Sequence, residues 1–147
     1  MNKPPYLNPI SQQQFFVECI QRAEHALKHW SGDRPLTEWA AIQRELGCSY
    51  LNLTAGDRNE NLRKAVAALL AALQVYTELD HGPFWAATQG NLGSAYRAFS
   101  GPERPACLKL ALECYEAYCR VYTRQEFPKQ WKNALAALSS IAEELKK

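Results

Sequence analysis

Trp39, Trp85 and Trp131 lie 46 residues apart, and this internal period constrains the fold more than any other feature of the chain. Residues 39–84 align with residues 85–130 without a gap, and 14 of the 46 paired residues are identical. The phase continues beyond both copies, so that residues 11–30 match the second half of a copy and residues 128–147 match the first half. Such a period is typical of stacked arrays, in which each unit buries its apolar face against its neighbours.

Each copy contains two helical patterns separated by a breaker. In the second copy, apolar residues recur at helical spacing from Trp85 to Phe99 and stop near Gly101-Pro102. Asp57-Arg58-Asn59-Glu60 fits a capping box at the start of a second helix, and Ser11-Gln12-Gln13-Gln14 suggests a similar start. We predict six helices, over residues 11–30, 36–53, 58–79, 83–99, 103–124 and 128–146.

These helices predict one all-α domain over residues 1–147, with antiparallel helix pairs stacked into an α-α superhelix. It comprises a half repeat at 11–30, repeats at 36–82 and 83–127, and a half repeat or capping helix at 128–147. Glycine inside a helix costs about 1 kcal/mol relative to alanine. Because Gly47 and Gly93 recur with the repeat, we expect each to admit a closely packed neighbouring helix.

The charge pattern argues against nucleic acid and membrane as partners. The net charge is +2, from 17 basic and 15 acidic residues that are spread along the chain, whereas nucleic-acid binding calls for a clustered basic face. No run approaches the roughly 18 apolar residues of a membrane span. The N-terminal Met1-Asn2-Lys3-Pro4-Pro5-Tyr6 lacks the apolar region of a secretory signal, which predicts a cytoplasmic protein.

Candidate catalytic and metal-binding residues are weak. The five cysteines form no C-x-x-C pair and stand where other copies mostly hold Ala, Ser, Leu or Asn, so we expect reduced thiols used as small apolar residues. His25 and His29 resemble an H-x-x-x-H metal pair, but a third ligand is not apparent, and both align with ordinary repeat positions. Phosphate-binding and nucleophile motifs are absent from the sequence, so we expect no enzyme, no cofactor and no metal site.

Two matching segments, Leu46-Gly47-Cys48-Ser49-Tyr50 and Leu92-Gly93-Ser94-Ala95-Tyr96, are followed by Ala65, Leu69 and Ala72 in the first copy. This pattern resembles the tetratricopeptide repeat, although that family's period is about 34 residues. Tyr118 departs from the pattern, where the family has alanine. The longer form looks like a bacterial variety found beside caspase-like CHAT protease domains, which this chain has no room to contain.

The resemblance implies a non-catalytic adaptor or scaffold that binds a peptide or partner protein in a concave groove lined by the first helices. Carried over by position, the groove residues are Arg44, Cys48, Asn52, Asn91, Ser94, Arg97 and Asn133. A complete carboxylate clamp would need asparagine at Cys48 and basic residues at Asn133 and Ala137. Recognition of an acidic C-terminal tail is therefore not expected.

Two alternatives to groove binding stay open at this stage. An incomplete array exposes its end helices, so a homodimer or partner interface could use Phe15, Phe16 and Ile20, or Leu135, Leu138 and Ile141. The chain could also serve as the partner of a separate CHAT-type protease.

Overall fold

The computed structural model describes residues 9–147, with side chains from residue 11 onward. The helices are α1 (Pro9–Lys28), α2 (Leu36–Asn52), α3 (Arg58–Leu73), α4 (Gly82–Ala98), α5 (Arg104–Val121) and α6 (Pro128–Leu145), with a short 3-10 turn (Gly101–Glu103) before α5. These residues include no strand, which confirms the predicted all-α fold of six helices. Residues 1–6, on which the predicted absence of a secretory signal rests, lie outside the described part.

Each helix packs against the next one in the chain, as short connections between antiparallel helices require. The most extensive contacts join α2 to α3 and α4 to α5, which are the two halves of each full repeat. α2 also touches α4, so the first helices of successive repeats lie side by side. Within residues 9–147, no helix is both long and apolar enough to cross a bilayer.

Both repeated glycines lie at close helix contacts, as predicted. A β-carbon at Gly47 would lie 2.6 Å from Cγ of Leu69 and 3.1 Å from the carbonyl oxygen of Ala65. At Gly93 it would lie 3.1 Å from the ring of Tyr115, the residue 46 positions after Leu69. The repeat is therefore a repeat of packing geometry as well as of sequence.

One contact between successive repeats also recurs with the 46-residue period. The side-chain oxygen of Gln13 accepts the backbone N–H of Thr54 at 2.7 Å. The side-chain oxygen of Asn59 accepts the backbone N–H of Ser100 at 3.3 Å, and its amide nitrogen donates to the Ser100 carbonyl at 3.1 Å. An amide at the start of α1 and of α3 thus holds the end of the next first helix.

Four predicted helix boundaries are wrong by more than one residue. α1 ends at Lys28 instead of residue 30, α3 ends at Leu73 instead of residue 79, and α5 ends at Val121 instead of residue 124. After α3 the hydroxyl of Thr77 accepts the N–H of Asp80, and such side-chain bonds favour a turn over a continuing helix. α1 already includes Pro9, so Ser11 lies inside the helix and does not cap it.

The predicted cap at the start of α3 is present. The carboxylate of Asp57 accepts the backbone N–H of Glu60 at 2.9 Å, and Asp57 has the extended backbone conformation usual for this position. This bond satisfies one of the free N–H groups of the first helical turn. The start of the second helix in the first repeat was therefore readable from the sequence.

Only part of each predicted end-helix surface is exposed. The side chains of Phe15 and Leu135 are 50% and 42% exposed. Ile20 and Ile141 are only 7% and 1% exposed because they pack into the two main clusters of the core. The prediction that these two isoleucines form part of an exposed face is wrong.

All five cysteines are free thiols. Cys19, Cys107 and Cys114 are buried, and Cys48 and Cys119 are half-buried. Burial raises the pKa of Cys107, Cys114 and Cys119 above the ordinary value. These thiols therefore stay protonated at neutral pH and pack as small apolar groups, as predicted.

Candidate functional site

A cleft of about 470 Å³ opens between α4 and α6, with α5 forming its base. We call it the α4–α6 cleft. Its lining combines small residues, amides, hydroxyls and one arginine. The lining residues are Ala87, Gly90, Asn91, Ser94, Arg97, Tyr115, Tyr118, Tyr122, Gln130, Asn133, Ala134 and Ala137.

Four of the seven residues predicted to bind a partner line this cleft: Asn91, Ser94, Arg97 and Asn133. Helical spacing places the three α4 residues on one face of that helix. Arg97 donates from Nη2 to the hydroxyl of Ser140 on α6 at 3.2 Å, which fixes its guanidinium at one end of the cleft. Arg97 carries the only charge among the described lining residues.

Tyr115 and Tyr118 of α5 and Tyr122 directly after it complete the cleft, and the sequence-based prediction did not include them. The hydroxyls of Ser94 and Tyr115 lie 3.0 Å apart, and the rings of Tyr118 and Tyr122 stack with centroids 4.5 Å apart. Burial is the largest cause of a raised Tyr118 pKa, so its hydroxyl keeps its proton as a donor.

Gly90 makes room for the Tyr118 ring. A β-carbon at Gly90 would lie 2.9 Å from Cδ2 of Tyr118. One repeat earlier the corresponding residues are Arg44 and Ala72, which form no such aromatic base. The joint change to glycine and tyrosine was visible in the sequence, and it is the signal that could have indicated the cleft.

Arg44 lies in the corresponding recess one repeat earlier, between α2 and α4, with a volume of about 380 Å³. We call it the α2–α4 recess, and Tyr76 and Phe84 also line it. The guanidinium carbon lies 5.8 Å from the centroid of the Phe84 ring. Nε of Arg44 is buried and has no hydrogen-bond partner within the described residues. The sequence placed Arg44 with Asn91, but the structure puts them in neighbouring recesses.

Cys48 and Asn52 line neither the cleft nor the recess. Sγ of Cys48 accepts a hydrogen bond from Nδ2 of Asn91 at 3.1 Å, which joins α2 to α4. Burial raises the pKa of Cys48, and the nearby Arg44 partly offsets that rise. Asn52 is exposed at the end of α2, and its side chain donates to the Cys48 carbonyl at 2.7 Å. Cys48 therefore positions Asn91, and Asn52 closes its own helix.

The side chains that line the α4–α6 cleft are suited to hydrogen bonding. Amides, tyrosine hydroxyls and an arginine can donate to and accept from an extended peptide backbone, and the ring faces can contact apolar side chains. Within the described residues, no group of three or more His, Cys, Asp or Glu side chains is placed to hold a metal ion. His25 and His29 are both exposed, with ring centroids 4.4 Å apart.

No family model, no curated protein and no solved structure matches this chain. The resemblance to tetratricopeptide repeats therefore remains a prediction based on the repeated residues.

Proposed function

We propose that this chain is a non-catalytic protein-binding domain, related to the tetratricopeptide repeats, that holds an extended peptide segment of a partner in the α4–α6 cleft. The observation that carries the proposal is the convergence of Asn91, Ser94, Arg97 and Asn133 on one open cleft with three tyrosines. Residues with amide, hydroxyl and aromatic groups are common in sites that bind peptides by their backbones.

The size and shape of the cleft support a peptide over a small molecule. On α4 the lining residues run from Ala87 to Arg97, so the open cleft is about 15 Å long. An extended peptide of about five residues spans that length. The α2–α4 recess continues the same face of the array by one repeat and offers Arg44 and Phe84 as further contacts.

The experiment is selection from a library of displayed linear peptides, followed by fluorescence anisotropy of the best binder. Asn133→Ala and Arg97→Ala each remove side-chain groups from the cleft and should weaken binding about tenfold, as expected for lost hydrogen bonds of about 1.4 kcal/mol. Lys109→Ala is the matched control, because Lys109 is exposed on α5 and does not line the cleft. It should bind like the wild type.

Backbone amide shifts measured by NMR with the same peptide then locate the site. The proposal predicts the largest shifts for α4 and α6 residues around Ser94 and Asn133. A library that yields no binder, or a binder that shifts only residues on the opposite face of α4, would contradict it.

A further inference from the structure

The face of α4 opposite the cleft carries Trp85, Gln89, Leu92 and Tyr96, which recur at helical spacing. They form the floor of a furrow whose walls are α3 and α5. A similar furrow lies one repeat earlier, with α2 as its floor and α1 and α3 as its walls. We call them the second and the first back furrow. Every described residue lining the first has its counterpart, 46 positions later, in the second.

The first back furrow has a polar rim. Glu24 and Lys64 stand on its two walls. The hydroxyl of Tyr50 on its floor donates to Oε1 of Glu24 at 2.6 Å, and Nζ of Lys64 lies 5.5 Å from the centroid of the same ring. This furrow therefore presents charged groups to water.

The second back furrow has lost those charged groups. Leu70 replaces Glu24, and Leu110 replaces Lys64. Leu70 is 45% exposed and Leu110 is 41% exposed. The first back furrow has charged side chains at both of these positions. Exposed leucines that face each other across a groove cost free energy in water unless another surface covers them.

A further exposed leucine lies on α6. Leu135 stands where the earlier first helices have Gln43 and Gln89, and it is 42% exposed. We call Leu70, Leu110 and Leu135, on α3, α5 and α6, the back strip. The residues at the matching positions of earlier units are Glu24 in the half repeat and Lys64 and Gln43 in the first repeat, and all three are polar.

We propose that the back strip is where two copies of this chain pair about a twofold axis. The charges beside the strip point to a second copy as its occupant. Glu113 and Glu116 are exposed on α5, and Lys129 and Lys132 are exposed on α6. None of the four belongs to an ion pair within residues 11–147. If a twofold axis sets α5 of one copy against α6 of the other, the glutamates of each copy lie opposite the lysines of its partner copy.

The size of the back strip predicts a weak dimer. α5 and α6 have 18 residues each, so the strip is about 27 Å long. α3, α4 and α5 pack side by side at spacings of about 9 Å, so the second back furrow with its walls is about 20 Å wide. The area of about 500 Å² per copy is at the low end for specific interfaces. The dimer should therefore form and dissociate within the micromolar range.

The test is sedimentation equilibrium of the whole chain, from low micromolar to several hundred micromolar concentration. The wild type should show a monomer–dimer equilibrium. The triple variant Leu70→Glu, Leu110→Lys, Leu135→Gln takes each residue from the matching position of an earlier repeat, so it should fold, as circular dichroism will check. Its dimer dissociation constant should rise at least tenfold. Lys28→Glu, at the end of α1 and outside both back furrows, controls for a general effect of charge and should dimerise like the wild type.

A charge exchange tests whether the occupant is a second copy. Lys132→Glu and Glu113→Lys should each weaken the dimer severalfold, and the double variant should restore it. A wild type that stays monomeric at every concentration overturns the proposal and leaves the strip to a different protein. A triple variant that dimerises like the wild type, or a double variant without recovery, overturns it as well.

Discussion

Arg58 and Arg104 make the same pair of hydrogen bonds one repeat apart. In each case Nη1 donates to two backbone carbonyl oxygens at the end of the preceding first helix, at distances between 2.6 and 3.0 Å. The acceptors are Leu51 and Leu53 for Arg58, and Arg97 and Phe99 for Arg104. The last carbonyls of a helix have no partner within it, so each arginine closes the first helix of its own repeat.

Arg104→Ala should therefore lower the free energy of unfolding by about 2 kcal/mol, because two charge-assisted bonds to carbonyls are lost. Arg104 also pairs with Glu144, whose side chain is 41% exposed. Since exposed ion pairs contribute little, Glu144→Gln should cost much less stability than Arg104→Ala. Urea unfolding of both variants measures the difference. Equal losses would show that the ion pair, and not the carbonyl cap, is what Arg104 contributes.

Gly47→Ala should destabilise the chain although alanine is the better helix former. The added β-carbon would lie 2.6 Å from Cγ of Leu69 and 3.1 Å from the Ala65 carbonyl oxygen. Overpacking of this kind costs about 1–3 kcal/mol, and the backbone of α3 cannot yield as a side chain can. The gain in helix propensity offsets about 1 kcal/mol of this.

Gly32→Ala is the control for that change, because a β-carbon at Gly32 meets nothing within 4 Å and its φ is not in the left-handed region. Its thermal midpoint should match the wild type, whereas that of Gly47→Ala should fall by several degrees. A Gly47→Ala variant as stable as the wild type would mean that α2 and α3 can separate at no cost.

Cys114 should make the free energy of unfolding fall as the pH rises above 9. Burial, and to a smaller extent the nearby Glu113 carboxylate, raises the pKa of Cys114 from 9.0 to about 12. Because the folded chain holds this proton more tightly than the unfolded chain, the contribution to stability is complete below pH 9 and is lost as the pH rises towards 12. At about pH 10.5 the loss is on the order of 2 kcal/mol.

Cys114→Ala isolates this effect, since alanine occupies the matching position 68 of the first repeat. Urea unfolding at pH 8 and at about pH 10.5 should show a smaller loss of stability for the variant than for the wild type. All other titrating groups are common to both proteins and cancel in the comparison. Parallel pH profiles would contradict the raised pKa.

Asn59→Ala should loosen the junction between the two full repeats. It removes the amide that bonds both the N–H and the carbonyl of Ser100, at a cost of about 1 kcal/mol. Hydrogen exchange at Ser100 should quicken more than exchange in the middle of α3. Asn52→Ala is the matched control, because the Asn52 side chain bonds only within α2. The same change in both variants would mean that the Asn59 contact does not couple the repeats.

Much of the fold was predictable because its signals are local. Helical periodicity, the breaker at Gly101-Pro102 and the Asp57 cap act over a few residues, and the structure confirms the number of helices and their order. The end of α3 was missed because the Thr77 hydroxyl forms a turn with Asp80 where the sequence pattern still allows a helix. The turn depends on one side-chain bond, which periodicity does not register.

The candidate site was predictable only in part. Helical spacing placed Asn91, Ser94 and Arg97 on one face of α4 correctly. Tyr118 was noted only as a departure from a family pattern, because its place at the base of the cleft depends on how α5 packs beneath Gly90. Cys48 was expected in the groove, but its thiol accepts a bond from Asn91 across two helices.

The sequence by itself determined the 46-residue period, the six helices and the glycines at their contacts, since periodicity, capping and chain connectivity are written along the chain. Only the tertiary structure decided which side chains meet. The pairs Ser94–Tyr115 and Asn91–Cys48 join residues 21 and 43 positions apart. Whether such residues touch depends on the angle and distance between packed helices, which follow from the whole set of core contacts at once.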